Sequence, residues 1–260
     1  MPQQKQPSFE LLTRLSQALE PLLRQAGEKI LAVYREPVHA VQTKHDLSPV
    51  TEADLASHHL ITAHLAMLTP DWPVISEEDS EHHTASGKIA GHSVYWLLDP
   101  LDGTKEFIAR TGEFSINLGL VVNGHAFFGL LYWPTHDLLY QGGTLIPPQK
   151  KPGHAPWQSI AARARPTDGG VLISSRRSGA TPENESFAKR EHLGSALKFG
   201  WLAEGKADFY LRKGNTMEWD TCAGQAILEA AGGSVKDLQG QTLRYGKPGF
   251  LNPGFIARGL

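Results

Sequence analysis

Cysteine is almost missing from this chain: Cys222 is the single one in 260 residues. No disulfide can close within the chain, so packing alone must hold it, which a chain of this length can achieve. Long apolar runs are missing too. None approaches the roughly 20 residues that a membrane-spanning helix requires, and the opening MPQQKQPSFE has no apolar stretch behind basic residues to suggest a secretory leader. Charge of one sign is also lacking. The 25 Lys and Arg stand against 27 Asp and Glu, a formal net charge of -2, and the bases are scattered. That argues against a surface for a nucleic acid polymer. A cytoplasmic soluble protein is the expectation, with peripheral association at the inner membrane and a homodimer both left open. No internal repeat or low-complexity tract is present.

What remains is an ordinary globular mixture, 40% hydrophobic with 26 glycines and 17 prolines. Apolar residues recur at helical spacing from Phe9 to Tyr34, which predicts an amphipathic helix interrupted near Pro21. A second helix is predicted over Thr51 to Leu68, with acids in its first turn and Asp54 near its start. Short β-like runs follow at 73–76, 94–98 and 115–122, then an Asn123-Gly124 hairpin turn and a return strand from Ala126 to Trp133. Gly142 to Pro156, rich in Gly, Pro and Lys, reads as a loop and divides the chain into halves, 1–150 and 151–260. In the second half, strands at 171–174 and 209–211 and a last one near 234–236 alternate with helices around 195–204 and 221–231. Periodicity supports mixed α and β; the expected arrangement is α+β, a layered αβαβα sandwich.

The chemistry concentrates in Trp96 to Phe107, where a hydrophobic strand ends in Asp99, turns at Pro100, presents Asp102, and turns again at Gly103-Thr104. Such a strand end can aim two carboxylates and a backbone carbonyl at one point, an all-oxygen environment suited to Mg²⁺. Glu77 and Glu78 follow the run at Val74-Ile75, and Asp220 stands just before a predicted helix. Acids at such places serve commonly as caps and turn formers. Gathered in one cleft they would repel one another unless cations were bound there.

These segments resemble the inositol monophosphatase superfamily of metal-dependent phosphatases, and within it the bacterial 3′(2′),5′-bisphosphate nucleotidases of the CysQ type. The landmarks are Ser48-Pro49-Val50-Thr51-Glu52-Ala53-Asp54, Ile75-Ser76-Glu77-Glu78-Asp79, Asp99 to Phe107, Gly194 to Phe199, Trp219-Asp220-Thr221 and Phe250 to Phe255. The resemblance implies the sandwich fold and two or three Mg²⁺ per active site. One ion would be held by Glu77, Asp99 and the Leu101 carbonyl, and another by Asp99, Asp102 and Asp220. A nucleophilic water would be oriented by Glu77 and the Thr104 hydroxyl, with Asp54 polarising that threonine. The N–H groups of Gly103 and Thr104 would bind a phosphate oxygen, with Asp220 facing the substrate.

The substrate implied is a small phosphorylated nucleotide, adenosine 3′,5′-bisphosphate, cleaved to AMP and phosphate, which would clear a by-product of sulfate activation. Lys105 and Lys198 would meet its second phosphate, or are solvated surface residues; Ser195 faces the sugar, or only caps a helix. Trp219 reads as a packing wedge rather than a base-stacking platform, and Cys222 as an inert core thiol. The paired histidines His58-His59 and His82-His83 read as surface residues. A sugar or inositol phosphatase on the same scaffold and a non-catalytic metal-dependent nucleotide sensor stand as alternatives. The resemblance also implies inhibition by Li⁺ and by excess Ca²⁺.

Overall fold

Helix α1 (Phe9–Arg35) opens the computed structural model, which describes residues 6–35, 41–43, 49–79, 87–176, 181–182 and 185–260. Ser48 and the His82-His83 pair lie outside the described residues. The buried stripe of α1, including Leu12, Leu19, Leu23 and Ile30, runs at helical spacing along its length. The interruption expected at Pro21 does not occur, because Pro21 and Gln17, whose carbonyl loses its partner there, both face solvent. Water can satisfy that carbonyl while the leucines on the opposite face hold the helix together.

Strands β1 (Val41–Thr43) and β2 (Pro49–Thr51) form an antiparallel pair leading into α2 (Glu52–Leu68). Then come β3 (Val74–Ser76), β4 (Val94–Asp102), the short helix α3 (Thr104–Ile108), β5 (Ser115–Val122) and β6 (His125–Trp133). The last two join through Asn123 (φ 52°) and Gly124 (φ 73°), the paired left-handed residues of a tight hairpin turn. The meander continues through β7 (Leu138–Gly143), β8 (Gln149–Pro152) and β9 (Gln158–Ser159), completing a seven-stranded sheet in the order β3 to β9. The segment read as a loop between Gly142 and Pro156 thus contains a strand, and residue 150 lies inside it, paired with Tyr140. Half-exposed lysines and glutamine along β8 hide any alternation.

The rest of the chain supplies β10 (Val171–Ser174), β11 (Lys189–His192), α4 (Leu197–Ala203), β12 (Phe209–Arg212), β13 (Thr216–Met217) and α5 (Cys222–Ala230). It closes with β14 (Ser234–Asp237), β15 (Leu251–Asn252) and β16 (Phe255–Arg258). A second, five-stranded sheet runs β11-β10-β12-β16-β14. β14 is therefore not the last strand. β16, too short to show a period, inserts between β12 and β14.

The architecture is layered α+β: α1 and α2 cover one face of the seven-stranded sheet, α4 and α5 lie between the sheets, and the second sheet follows. α5 can approach the large sheet closely because Gly119, Gly129 and Gly142 lie side by side across β5, β6 and β7 beneath it. A Cβ on them would run into Cys222, Ala223 and Ile227 respectively. No helix among the described residues is long and apolar enough to cross a membrane.

Candidate active site

Asp99 and Asp102 are three positions apart, so in a regular strand they would point to opposite faces of the sheet. The β4–β5 ladder shows how both reach one side. Asp99 pairs with Asn117 and Asp102 with Ser115, so β4 carries one extra residue between partners two apart on β5. This β-bulge, at Pro100-Leu101, turns the second carboxylate back to the face of the first. The Asp99 carboxylate accepts the Leu101 N–H at 3.1 Å. Asp102 accepts the Ala196 N–H at 2.5 Å and the Asn117 side-chain amide at 3.1 Å, and the Ser115 hydroxyl holds Asn117 in turn at 2.9 Å.

β3 runs parallel to β4, so their C-terminal ends emerge together, and the Glu77 N–H bonds Leu98 O at 3.0 Å. Asp220 ends a single turn, Glu218–Asp220, and its Oδ2 accepts the Met217 N–H at 2.9 Å. Carboxylate oxygens of Glu77, Asp99 and Asp220 thereby lie within 4.8 Å of one another. The structure brings Glu77 together with Asp220 as well as with Asp99.

Burial pushes the Asp99 carboxyl well above the usual carboxylate range, and the charges of Glu77, Asp102, Asp220 and Asp54 push it further. Asp220 is raised for the same reasons, burial first and then Asp102 and Glu77, against the pull of the Met217 N–H and Arg212. Asp102 is raised by burial, against Lys198, Asn117 and the Ala196 N–H. Asp99 is only 1% exposed. A cluster of this kind is stable as carboxylates only around a cation, and the donors it offers, carboxylate oxygens of Glu77, Asp99 and Asp220, are of the hard type.

Gly103 follows at φ 92°, a left-handed conformation that strains any side chain, and an added Cβ would sit 3.0 Å from Glu113 O and 3.3 Å from the Ser195 Cβ. The turn opens α3, where the Thr104 hydroxyl donates to Leu101 O at 3.3 Å and Asp54 is buried at the start of α2. Opposite lies the Gly194 to Ala196 turn, with Ser195 at φ 49°; its hydroxyl lies 3.2 Å from that of Ser115 and accepts the Leu197 N–H at 3.4 Å. Glu113 fixes this turn by accepting the Gly194 N–H at 2.9 Å while its carboxylate pairs with Arg176.

A pocket of about 340 Å³ opens from Asp102, Gly103 and Asp220 to Ser195, Lys198 and Arg212. Lys105 lines its rim and is exposed. Lys198 is not a surface lysine: it is 3% exposed, its ammonium donates to the Leu193 and Ser195 carbonyls, and it lies 5.1 Å from the Tyr210 ring centre. Burial lowers it to about 8, against the raising pull of Asp102. Sequence reading missed Arg212, Tyr210 and Phe255 in the pocket wall; the signal available was a basic residue ending the apolar run Phe209-Tyr210-Leu211.

Trp219 is a packing wedge, 2% exposed, in a buried cluster with Ile75, Leu97, Cys222 and Phe250. Cys222 is fully buried, and burial raises its thiol far out of the reactive range. His58 departs from the surface reading. It is half-buried, and its Nδ1 bonds the Ser76 hydroxyl at 2.8 Å.

Comparison with known proteins agrees over most of the length. The model of the inositol monophosphatase family matches residues 11–257. The 3′(2′),5′-bisphosphate nucleotidase CysQ of Escherichia coli K12 is 42% identical over 245 residues, 90% of this chain and 95% of that protein. Its counterpart in Buchnera aphidicola is 36% identical over 92% of this chain and 91% of its own. The crystal structure of CysQ from Bacteroides thetaiotaomicron superimposes with a TM-score of 0.78 at 34% identity, covering 94% of this chain and 97% of the other. An inositol monophosphatase from Thermotoga maritima shares the fold, with a TM-score of 0.73 at 22% identity over 95% of this chain and 92% of its own.

Proposed function

This chain belongs to the inositol monophosphatase family, and from that premise we propose that it is a magnesium-dependent 3′(2′),5′-bisphosphate nucleotidase that hydrolyses adenosine 3′,5′-bisphosphate to AMP and phosphate. The observation that carries this reading is the continuity of one pocket from the acids Asp102 and Asp220 to the cations Lys198 and Arg212. A substrate with two phosphates would suit such a pocket, one phosphate toward the acids that would hold metal ions and the other toward the cations. The names of the similar proteins from Escherichia coli and Buchnera aphidicola support the same substrate class.

Glu77, Asp99 and the Leu101 carbonyl, with Asp102 and Asp220, are the groups that would hold the magnesium ions. When bound, the ions neutralise charge on the transferred phosphoryl group and ease deprotonation of water. The chain itself positions and excludes. The N–H groups of Gly103 and Thr104 receive a phosphate oxygen where the missing Cβ of Gly103 leaves room. Glu77 and the Thr104 hydroxyl orient the water, with Asp54 polarising the threonine once its proton turns from Leu101 O to that carboxylate. As the water oxygen adds to phosphorus its proton passes to Glu77, the bond to O3′ breaks on the opposite side, and O3′ takes a proton from solvent. Lys105, Lys198 and Arg212 supply positive potential for the second phosphate, and Ser195 faces the ribose.

The reading is tested by phosphate release in Mg²⁺ from adenosine 3′,5′-bisphosphate, inositol 1-phosphate and fructose 1,6-bisphosphate, with Asp99→Asn alongside. Preference for the nucleotide, reduced to background in Asp99→Asn, is the expected result. Preference for a sugar phosphate would overturn the substrate, and no release from any of the three would overturn the enzyme.

A further inference from the structure

Asn252 belongs to the Phe250 to Phe255 string and is 1% exposed. Its side-chain amide donates to Met217 O at 3.1 Å and to the Thr221 hydroxyl oxygen at 2.8 Å. These acceptors stand on either side of the turn Glu218–Asp220, so one amide group clasps the turn at both ends. Met217, gripped through its carbonyl, is also the residue whose N–H orients Asp220, at 2.9 Å. The β13–β15 ladder fixes Asn252 for this task by pairing Thr216 with Asn252 and Met217 with Leu251. On the far side Thr221 meets the Tyr245 hydroxyl at 3.3 Å, and that hydroxyl donates to Gln225 on α5 at 2.6 Å. The clasp is thus anchored in buried structure rather than at a mobile surface.

The next residues reach the other end of the pocket. A Cβ on Gly254 would lie 2.8 Å from the carbonyl oxygens of both Arg212 and Lys213, so only glycine lets the segment pass there. Phe255 pairs with Arg212 across β12 and β16, lines the pocket, and packs 5.3 Å from the Tyr210 ring. We propose that Asn252 is a positioning residue for Asp220, and that Asn252 to Phe255 form a brace setting the acid end of the pocket against its Arg212 end. This rests on the reading of the acids as a cation site. A change at Asn252 then shifts Asp220 without touching the reacting atoms, so metal affinity and turnover move more than fold stability does.

The test is a Mg²⁺ titration followed by melting midpoint and by phosphate release from adenosine 3′,5′-bisphosphate, on the full chain and on Asn252→Leu. Leucine keeps the approximate volume and removes both donors. The expected result is a Mg²⁺ half-saturation raised about 10- to 100-fold, as for other residues that orient metal ligands. kcat falls while KM for the nucleotide changes little, and the midpoint in EDTA stays near that of the unaltered chain. Leu251→Ala, at a neighbouring residue 45% exposed, should leave every reading unchanged. Unaltered half-saturation and kcat in folded Asn252→Leu would overturn the proposal. If Asn252→Leu fails to fold, Asn252→Ser, which retains one donor, takes its place under the same criteria. Absence of any Mg²⁺-dependent shift in the unaltered chain would instead refute the cation site itself.

Discussion

Lys198 shows how one residue can be seen in a sequence and misjudged in its setting. Its position in the Gly194 to Phe199 string marked it as a candidate for a second phosphate, but only the fold shows that it is buried, with its ammonium spent partly on two main-chain carbonyls. Its contribution to the pocket is therefore mainly positive potential. Because burial holds it near 8, that potential is present below pH 8 and fades above it. KM for the bisphosphate nucleotide should rise as pH climbs through this range. In Lys198→Met it should be about tenfold higher, the equivalent of about 1.4 kcal/mol, and flat over the same pH interval. Steady-state kinetics at several pH values check both, and a parallel pH slope in the two proteins would refute the assignment. The acids behave differently. Their place at a strand end was readable because Asp-Pro-Leu-Asp-Gly-Thr is a distinctive local string, whereas Arg212 was marked only as the basic residue ending an apolar run, and Tyr210 within that run looks like ordinary packing.

Elements matter here through the close approaches they permit. The Gly119, Gly129 and Gly142 row lets α5 lie directly on the large sheet, and α5 follows immediately on the turn that carries Asp220. Gly129→Ala would drive a methyl into the Ala223 carbonyl, a backbone group that can move only with the helix. The expected cost is about 1–3 kcal/mol in urea unfolding, accompanied by weakened Mg²⁺ binding as Asp220 shifts. Gly87→Ala, where none of the described residues lies within 4 Å, should stay within about 0.5 kcal/mol of the unaltered chain. A Gly129→Ala protein as stable as the Gly87→Ala control would show that α5 is not held in this way. The bulge in β4 has the same logic at the scale of one strand, since an extra residue between Asp99 and Asp102 sets both carboxylates to one side.

Across the whole molecule, the acid cluster ties stability to pH and, as the proposed metal site, to divalent ions. Asp99 and Asp220 have folded-state pKa values raised above their ordinary value of 3.8, so their contribution to stability is fully present below that value. It is lost as pH rises through the folded values, where the folded state must release protons it prefers to keep. In EDTA near neutral pH, Asp99→Asn should therefore melt above the unaltered chain, by about 2–4 °C for each kcal/mol of repulsion relieved. The gap should close as pH falls toward about 4, and Mg²⁺ should raise the midpoint of the unaltered chain more than that of the variant. Equal midpoints in EDTA at neutral pH would mean that the carboxylates do not strain one another.

By itself the sequence determined helices α1 and α2, the hairpin at Asn123-Gly124, and the presence of carboxylate residues at the strand ends and turn. These are local consequences of apolar spacing, turn chemistry and short polar strings. Only the tertiary structure decided the continuity of α1 through Pro21, the strand within the presumed loop, and the insertion of β16 between β12 and β14. It also decided which acids meet and that Lys198 is buried. Each of these depends on partners remote in the chain, through strand register, packing against a distant face or desolvation, and a linear string of residues does not carry that information.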